Sequence, residues 1–181
     1  VLIQVNSFFN EETAEGYLNT LDEELLSVWP EERLITPALI RGESATVRDA
    51  LAEKGWPAIN AVRGRGLFVL HAGGSYGSVY LGSDPTATER PLFQDAYGDA
   101  SLPYAAIHSL NNPIGDQEAI QALVELGHMV RTRSDSDTEE ALAEDYTRFE
   151  AALTSGAHFI STDFPGEPYG ESYAVQIPGG T

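Results

Sequence analysis

The chain has 181 residues, of which 42% are hydrophobic and 21% charged, and its ten Lys plus Arg against 28 Asp plus Glu give a formal charge of -18. This length suits one domain, and the composition excludes wholesale disorder, a collagen-like repeat and a long apolar membrane span. So large a negative charge repels phosphate backbones, so nucleic acid is not an expected partner. The absence of cysteine excludes disulfides, thiolate metal sites and cysteine nucleophiles, without choosing a compartment.

The chain starts at Val1 with no initiator Met and no basic or apolar leader, and residues 1–8, VLIQVNSF, already read as a strand. An N-terminal part preceding Val1 is therefore expected. Asn10 is placed to cap a helix from Glu11 to about Val28, with Tyr17, Leu18, Leu21, Leu25 and Val28 as one apolar stripe and Trp29-Pro30 as its stop. Ser44 is expected to cap a second helix, with Val47, Ala50 and Leu51 inward and Gly55 ending it.

Residues 66–72, GLFVLHA, read as the next strand, and residues 73–100, rich in Gly, Ser, Asp and Thr, as an irregular loop. A strand at 104–110 follows. A helix then opens at Asp116 and runs through Ile120, Leu123 and Val124 to Gly127. After a strand at 128–134, Asp137 and Glu140 form a capping-box pattern for a helix with Leu142, Phe149, Ala152 and Leu153 inward, and a strand at 158–164 closes the series. Residues 165–181 read as a loop.

Alternating strands and helices predict an α/β fold with parallel strands. Two architectures fit: an open five-stranded doubly wound sheet, or part of an eight-stranded (β/α)8 TIM barrel. In both, chemistry gathers at the C-terminal ends of the strands, which singles out Asn6, Phe8, His71, His108, Asn111, Arg131, Arg133, Thr162 and Asp163. Arg131 and Arg133 share parity, so both forks can meet one anionic oxygen cluster, or each can pair with a carboxylate. Asp163, at the end of the last strand, can hold a metal or a sugar hydroxyl, or pair with Arg131 or Arg133 across neighbouring strand ends. His71 is either an acid or base beside a glycine-rich loop or a hydrogen-bonded structural histidine. Asp135 and Asp137 start like a calcium loop, but Glu140 stands where that loop needs Gly, so helix capping is the expectation. No H-x-x-x-H pair and no G-x-S-x-G elbow occurs.

The stretches GHMVRTRSDSDTEEA (127–141), AALTSGAHFISTDFPGE (151–167), SYAVQIPGG (172–180) and GWPAINAVRGRGLFVLHAGG (55–74) resemble the C-terminal half of the calcium-dependent phosphoinositide phospholipase C family of bacterial and fungal secreted proteins. The resemblance is continuous from about Thr46 to Gly180 and loose before that. It implies a PLC-like phosphodiesterase TIM barrel, with this chain supplying strands four to eight as a single domain. It further implies a secreted phosphoric diester hydrolase of lipid metabolism, acting on a phosphoinositide or glycerophospholipid with calcium as cofactor and touching a membrane surface transiently, without a transmembrane segment. The family's two catalytic histidines belong to strands that precede this sequence.

On the same resemblance Arg131, Arg133 and Asp163 are substrate-binding residues and Asn6 lies near the metal. The family's Glu, and its Lys two residues on, are here Asn6 and Phe8, and its Asp at the end of the GLFVLHA strand is here His71. Those departures keep two alternatives open: a barrel-shaped binding or scaffold protein without chemistry, and a glycerophosphodiesterase relative.

Overall fold

The computed structural model describes residues 2–6 (backbone only), 13–72, 74–165, 173–177 and 179. Asn10, Glu11 and Phe8 lie outside them. The chain divides into two compact units, residues 1–108 and 109–181.

In the first unit, β1 (Leu2–Asn6) pairs in parallel with β2 (Leu67–His71), Leu2 opposite Leu67 through Asn6 opposite His71, and β2 pairs in parallel with β3 (Phe93–Gln94). β2 is buried from Leu67 to Leu70 and opens at His71, as a strand covered on both faces should.

Helix α1 (Ala14–Val28) starts after Thr13, whose side chain makes no cap bond. Its inward stripe is narrower than the apolar pattern predicts. Leu18 is fully buried, Leu21 and Leu25 pack partly, but Tyr17 is 52% and Val28 70% exposed, and the buried face is completed by Asp22. Asp22 tolerates burial because Tyr80 Oη donates to it at 2.9 Å and Arg90 Nη1 at 2.9 Å, while the Arg90 guanidinium lies 4.7 Å over the Tyr80 ring. Burial still pushes the Asp22 carboxyl up against the pull of Arg90 and Tyr80. Leu18, Leu34, Phe68, Leu70, Tyr80 and Leu92 form the local core, each large side chain contributing about 1.5–3 kcal/mol by leaving water. Trp29, the predicted helix stop, closes this core edge-on to Phe68 at 5.4 Å, and a side chain at Gly66 would run into its ring.

Helix α2 (Pro37–Arg41) is capped by Thr36, and α3 (Val47–Lys54) by Thr46, whose hydroxyl accepts from Asp49 N at 3.0 Å. Ser44 is not the cap: its hydroxyl donates to Glu53 at 2.9 Å. Thr46 takes the role because it holds the extended backbone just before the first helical turn. Gly55, at φ 67°, ends the helix as expected.

The stretch 73–100 is more ordered than its composition predicts, since it contains α4 (Ser75–Leu81) and β3. Between them Asp84 collects Thr86 N and Oγ1, Thr88 N and Oγ1, and Glu89 N. Partial burial acts to raise its pKa, but these hydrogen bonds outweigh it and hold the carboxyl down at about 2. A folded pKa below the unfolded one stabilises above the unfolded value and is lost as pH falls through the folded one. Asp84 should therefore contribute about 1 kcal/mol after solvent screening, disappearing between about pH 4 and pH 2. Urea midpoints for wild type and Asp84→Asn should converge across that window; an unchanged gap at pH 2 would refute the assignment.

β4 (Ile107–Ser109) ends the first unit and opens the second, whose sheet has the order β4-β5-β6, with β5 (Met129–Arg133) and β6 (Phe159–Ser161) parallel. The six described strands thus form two small parallel sheets of three rather than one sheet of five. Helix α5 (Gln117–Glu125) starts after Asp116 and buries Ile120 and Leu123. The helix expected from Asp137 is broken into α6 (Glu139–Ala143) and α7 (Thr147–Thr154). No capping box forms at Asp137, which has φ 55°; Glu140 reaches back to Ser136 N instead, at 2.8 Å. Glu144, in the left-handed region at φ 51°, then turns the chain, leaving Leu142 77% exposed while Phe149 and Ala152 are buried as predicted.

Candidate functional site

In the second unit the candidate groups stand at the ends of β5 and β6. Along β5, Val130 and Thr132 are fully buried, as is Ser134 beyond its end, while Arg131 and Arg133 between them are half-buried on the opposite face. This is the shared parity that a period of two requires. Arg131 Nη1 donates to Asn111 Oδ1 in a short hydrogen bond. Arg148 Nη1 holds the Asn111 carbonyl at 3.3 Å, and Arg148 is in turn paired with Glu140. Asn111 is thus fixed from its backbone and orients the Arg131 fork through a neutral amide. Arg133 pairs with Asp163 at 3.3 Å, with that carboxylate 60% exposed. Of the predicted substrate-binding set, the fold brings Arg133 and Asp163 into contact and sets Arg131 on the same face as Arg133.

The group that organises this rim is Asp135, which is 1% exposed. Its Oδ1 accepts Asp163 N at 2.9 Å, and its Oδ2 accepts Ser134 Oγ at 2.7 Å and Thr162 Oγ1 at 2.5 Å. A carboxylate can accept all three at once, which pins the end of β6 to the end of β5. Its sequence signal is misdirected: Asp135 resembles a helix-capping or calcium-loop acid, whereas two of its three donors lie 27 and 28 residues away. Tyr173 completes the wall, stacked on Tyr146 at 4.6 Å and edge-on to Phe164 at 5.5 Å. Burial, with Asp135 and Glu140 nearby, pushes its phenol up to about 12, so it stays neutral and serves as a donor toward the Ser134 carbonyl.

In the first unit, Asn6 ends β1 in register with His71 at the end of β2. His71 Nδ1 lies 2.8 Å from Oδ2 of Asp95, which follows β3 and is buried to 1%. Asp95 Oδ1 accepts Tyr97 N at 2.9 Å, and the Tyr97 ring sits 5.0 Å from the imidazole. Asp95 escaped the sequence reading because β3 has two residues, too few for any periodicity. His108, another predicted rim residue, is fully buried and accepts Gly98 N through Nδ1 at 3.1 Å.

Calcium takes six to eight oxygen ligands, mostly carboxylate and carbonyl. Among the described residues no group of three or more His, Asp or Glu converges as a cation would require. The partner that register gives Asn6 is an imidazole, and the Asp95 carboxylate beside that imidazole is engaged with it and with Tyr97 N. The described residues do not by themselves fit a calcium cage, and no chemical step below runs through one.

The fold defines an α/β protein with parallel strands, and it is similar to the structure of a Ca2+-dependent phosphatidylinositol-specific phospholipase C enzyme from Streptomyces antibioticus. The TM-score is 0.59 at 15% sequence identity, over 90% of this chain and 64% of that one. This chain therefore spans somewhat less than two thirds of that relative's length. Comparison with curated proteins gives no significant match. The model of the Ca2+-dependent phosphoinositide phospholipase C family matches residues 4–181, and the chain belongs to that family.

Proposed function

We propose that the chain is part of a phosphodiesterase whose substrate carries an anionic phosphodiester headgroup, a phosphoinositide or a glycerophosphodiester, bound by Arg131 and Arg133. Asp163 holds Arg133 and Asn111 holds Arg131. In this reading β1, β2, β4, β5 and β6 correspond to strands four to eight of a PLC-like (β/α)8 barrel, forming one domain with whatever completes the ring, and the protein acts outside the cell at a lipid surface. Asn6, standing where the family has Glu, is the residue assigned in this reading to offer a neutral oxygen toward the family's calcium.

The observation that carries the reading is the pair of arginines on one partly exposed face of β5, at the middle and the C-terminal end of the strand, in a chain of this family. A guanidinium fork matches phosphate oxygens in a bidentate way and keeps its charge at any working pH. No described helix is long and apolar enough to cross a membrane.

Calorimetry with inositol 1-phosphate against neutral inositol tests this directly. The phosphate ester should bind and the neutral polyol should not, and the affinity should fall as salt screens the guanidinium charges. Equal heats for both ligands, or none for either, would remove the anion-binding role. Binding without cleavage of a phosphoinositide in vesicles would instead favour a barrel-derived binding protein.

A further inference from the structure

We propose that the cavity beside helix α4 binds a small primary ammonium ion, with the Gln94 side-chain oxygen as its acceptor. The proposal does not depend on the phosphodiester reading. The cavity measures about 100 Å³, lies within the first unit and is lined by residues that include Ala72, Ser78, Gln94, Asp95, Tyr97 and Tyr104. That volume holds about three waters, or a ligand of about four non-hydrogen atoms. Ser78 and Tyr97 are exposed and Gln94 is only 2% exposed, so the space runs from solvent to the Gln94 amide.

Register identifies the side of the sheet. Gln94 stands opposite Leu70, and Leu70 belongs to the core that α1 and α4 cover through Leu18 and Tyr80. His71, the next residue along β2, faces the other way. Gly77 lets α4 rest directly on the amide, since a Cβ there would come within 2.9 Å of the Ala72 carbonyl and 3.1 Å of Gln94 Nε2.

Two properties choose the ligand. Gln94 Nε2 donates to the Ala72 carbonyl at 2.7 Å and the Asp95 carbonyl at 3.3 Å, which fixes the amide orientation and leaves Oε1 buried without a partner among the described residues. A buried acceptor calls for a donor. The second property is charge: the described lining holds the Asp95 carboxylate and no Lys, Arg or His. Burial, and then the Asp95 charge, pushes the Tyr97 phenol up to about 12; burial, and then Asp99 and Asp95, raises that of Tyr104. Both phenols therefore stay neutral, in a negative potential that favours a cation. The Asp95 oxygens are engaged by His71 and Tyr97 N, so Asp95 supplies charge rather than a ligand atom. A neutral alcohol would satisfy the acceptor alone and a quaternary ammonium the charge alone. A primary ammonium satisfies both, and phenol rings within about 6 Å attract it further.

Amide chemical-shift titration of the full chain tests this, with ethylammonium, tetramethylammonium, potassium and ethanol as probes at constant ionic strength. Ethylammonium should shift the Gly77, Gln94 and Asp95 signals saturably, with a midpoint at roughly millimolar concentration, near the ceiling for so few atoms. Each of the other three probes should need at least about tenfold more, lacking either the N–H donor or the charge. Gln94→Met should weaken ethylammonium binding by about tenfold or more, and Tyr104→Leu, at a partly exposed position, by about threefold. Where Gln94→Met does not fold, the probe series on wild type and the Tyr104→Leu variant decide. No saturable shift with ethylammonium would mean that water alone enters, and an equal response to any other probe would mean that the site does not select an ammonium N–H; either result overturns the proposal. Sedimentation with phosphatidylcholine vesicles, with and without phosphatidylethanolamine, separates the sources. Binding that requires the ethanolamine lipid supports a headgroup ammonium, and its absence beside ethylammonium saturation supports a free amine.

Discussion

Arg131→Ala should weaken binding of inositol 1-phosphate by about 10- to 100-fold, the loss of one charge-assisted contact worth about 1.5–3 kcal/mol. The reason lies in how the fork is presented. Its bond to Asn111 Oδ1 orients the guanidinium through a neutral group, and Asn111 is itself anchored by Arg148. Arg131→Lys should recover only part of the loss, because an ammonium cannot engage two phosphate oxygens in one plane. Arg133→Ala should also weaken binding, although an incoming anion must compete with Asp163 for Arg133. Titration calorimetry at fixed ionic strength reads all three variants. Unchanged affinity in Arg131→Ala would show that the face of β5 is structural.

Asp135→Ala should destabilise the second unit by about 3 kcal/mol or more, because three donors lose a buried acceptor together. The Ser134 hydroxyl has a second acceptor, the Ser161 carbonyl at 3.0 Å, so the unrelieved donors are the Thr162 hydroxyl and the Asp163 amide. Hydrogen exchange should show this locally: protection of the Asp163 amide should collapse toward that of the exposed loops, while the β2 amides keep theirs. The variant should also bind inositol 1-phosphate more weakly, because the freed Thr162-Asp163 segment no longer sets the Arg133 pair. An Asp163 amide that stays fully protected would mean that Asp135 does not hold the end of β6.

Much of this site could be read in the sequence, and the limits have identifiable causes. The alternation Val130-Arg131-Thr132-Arg133 is a local property, so the strand and the common face of the two arginines followed from period and parity. Asp163 was expected opposite them because strand ends gather on one side of a parallel sheet. By contrast, choosing between Ser44 and Thr46 as the cap depends on where the backbone leaves the extended region, and both residue types favour either position. The break between α6 and α7 was hidden because the apolar spacing runs on through Leu142, although the chain turns at Glu144.

The sequence by itself determined the α/β alternation, most strand positions, the glycine stops and the parity of β5, because each depends on neighbours within a few residues. Only the tertiary structure decided that Asp22 belongs inside, since its partners Tyr80 and Arg90 lie 58 and 68 residues away. The same holds for Asp135 as the tie between two strand ends and for Asp95 behind His71. A buried carboxylate is stable only where distant donors converge on it, and that convergence exists only once the chain has folded.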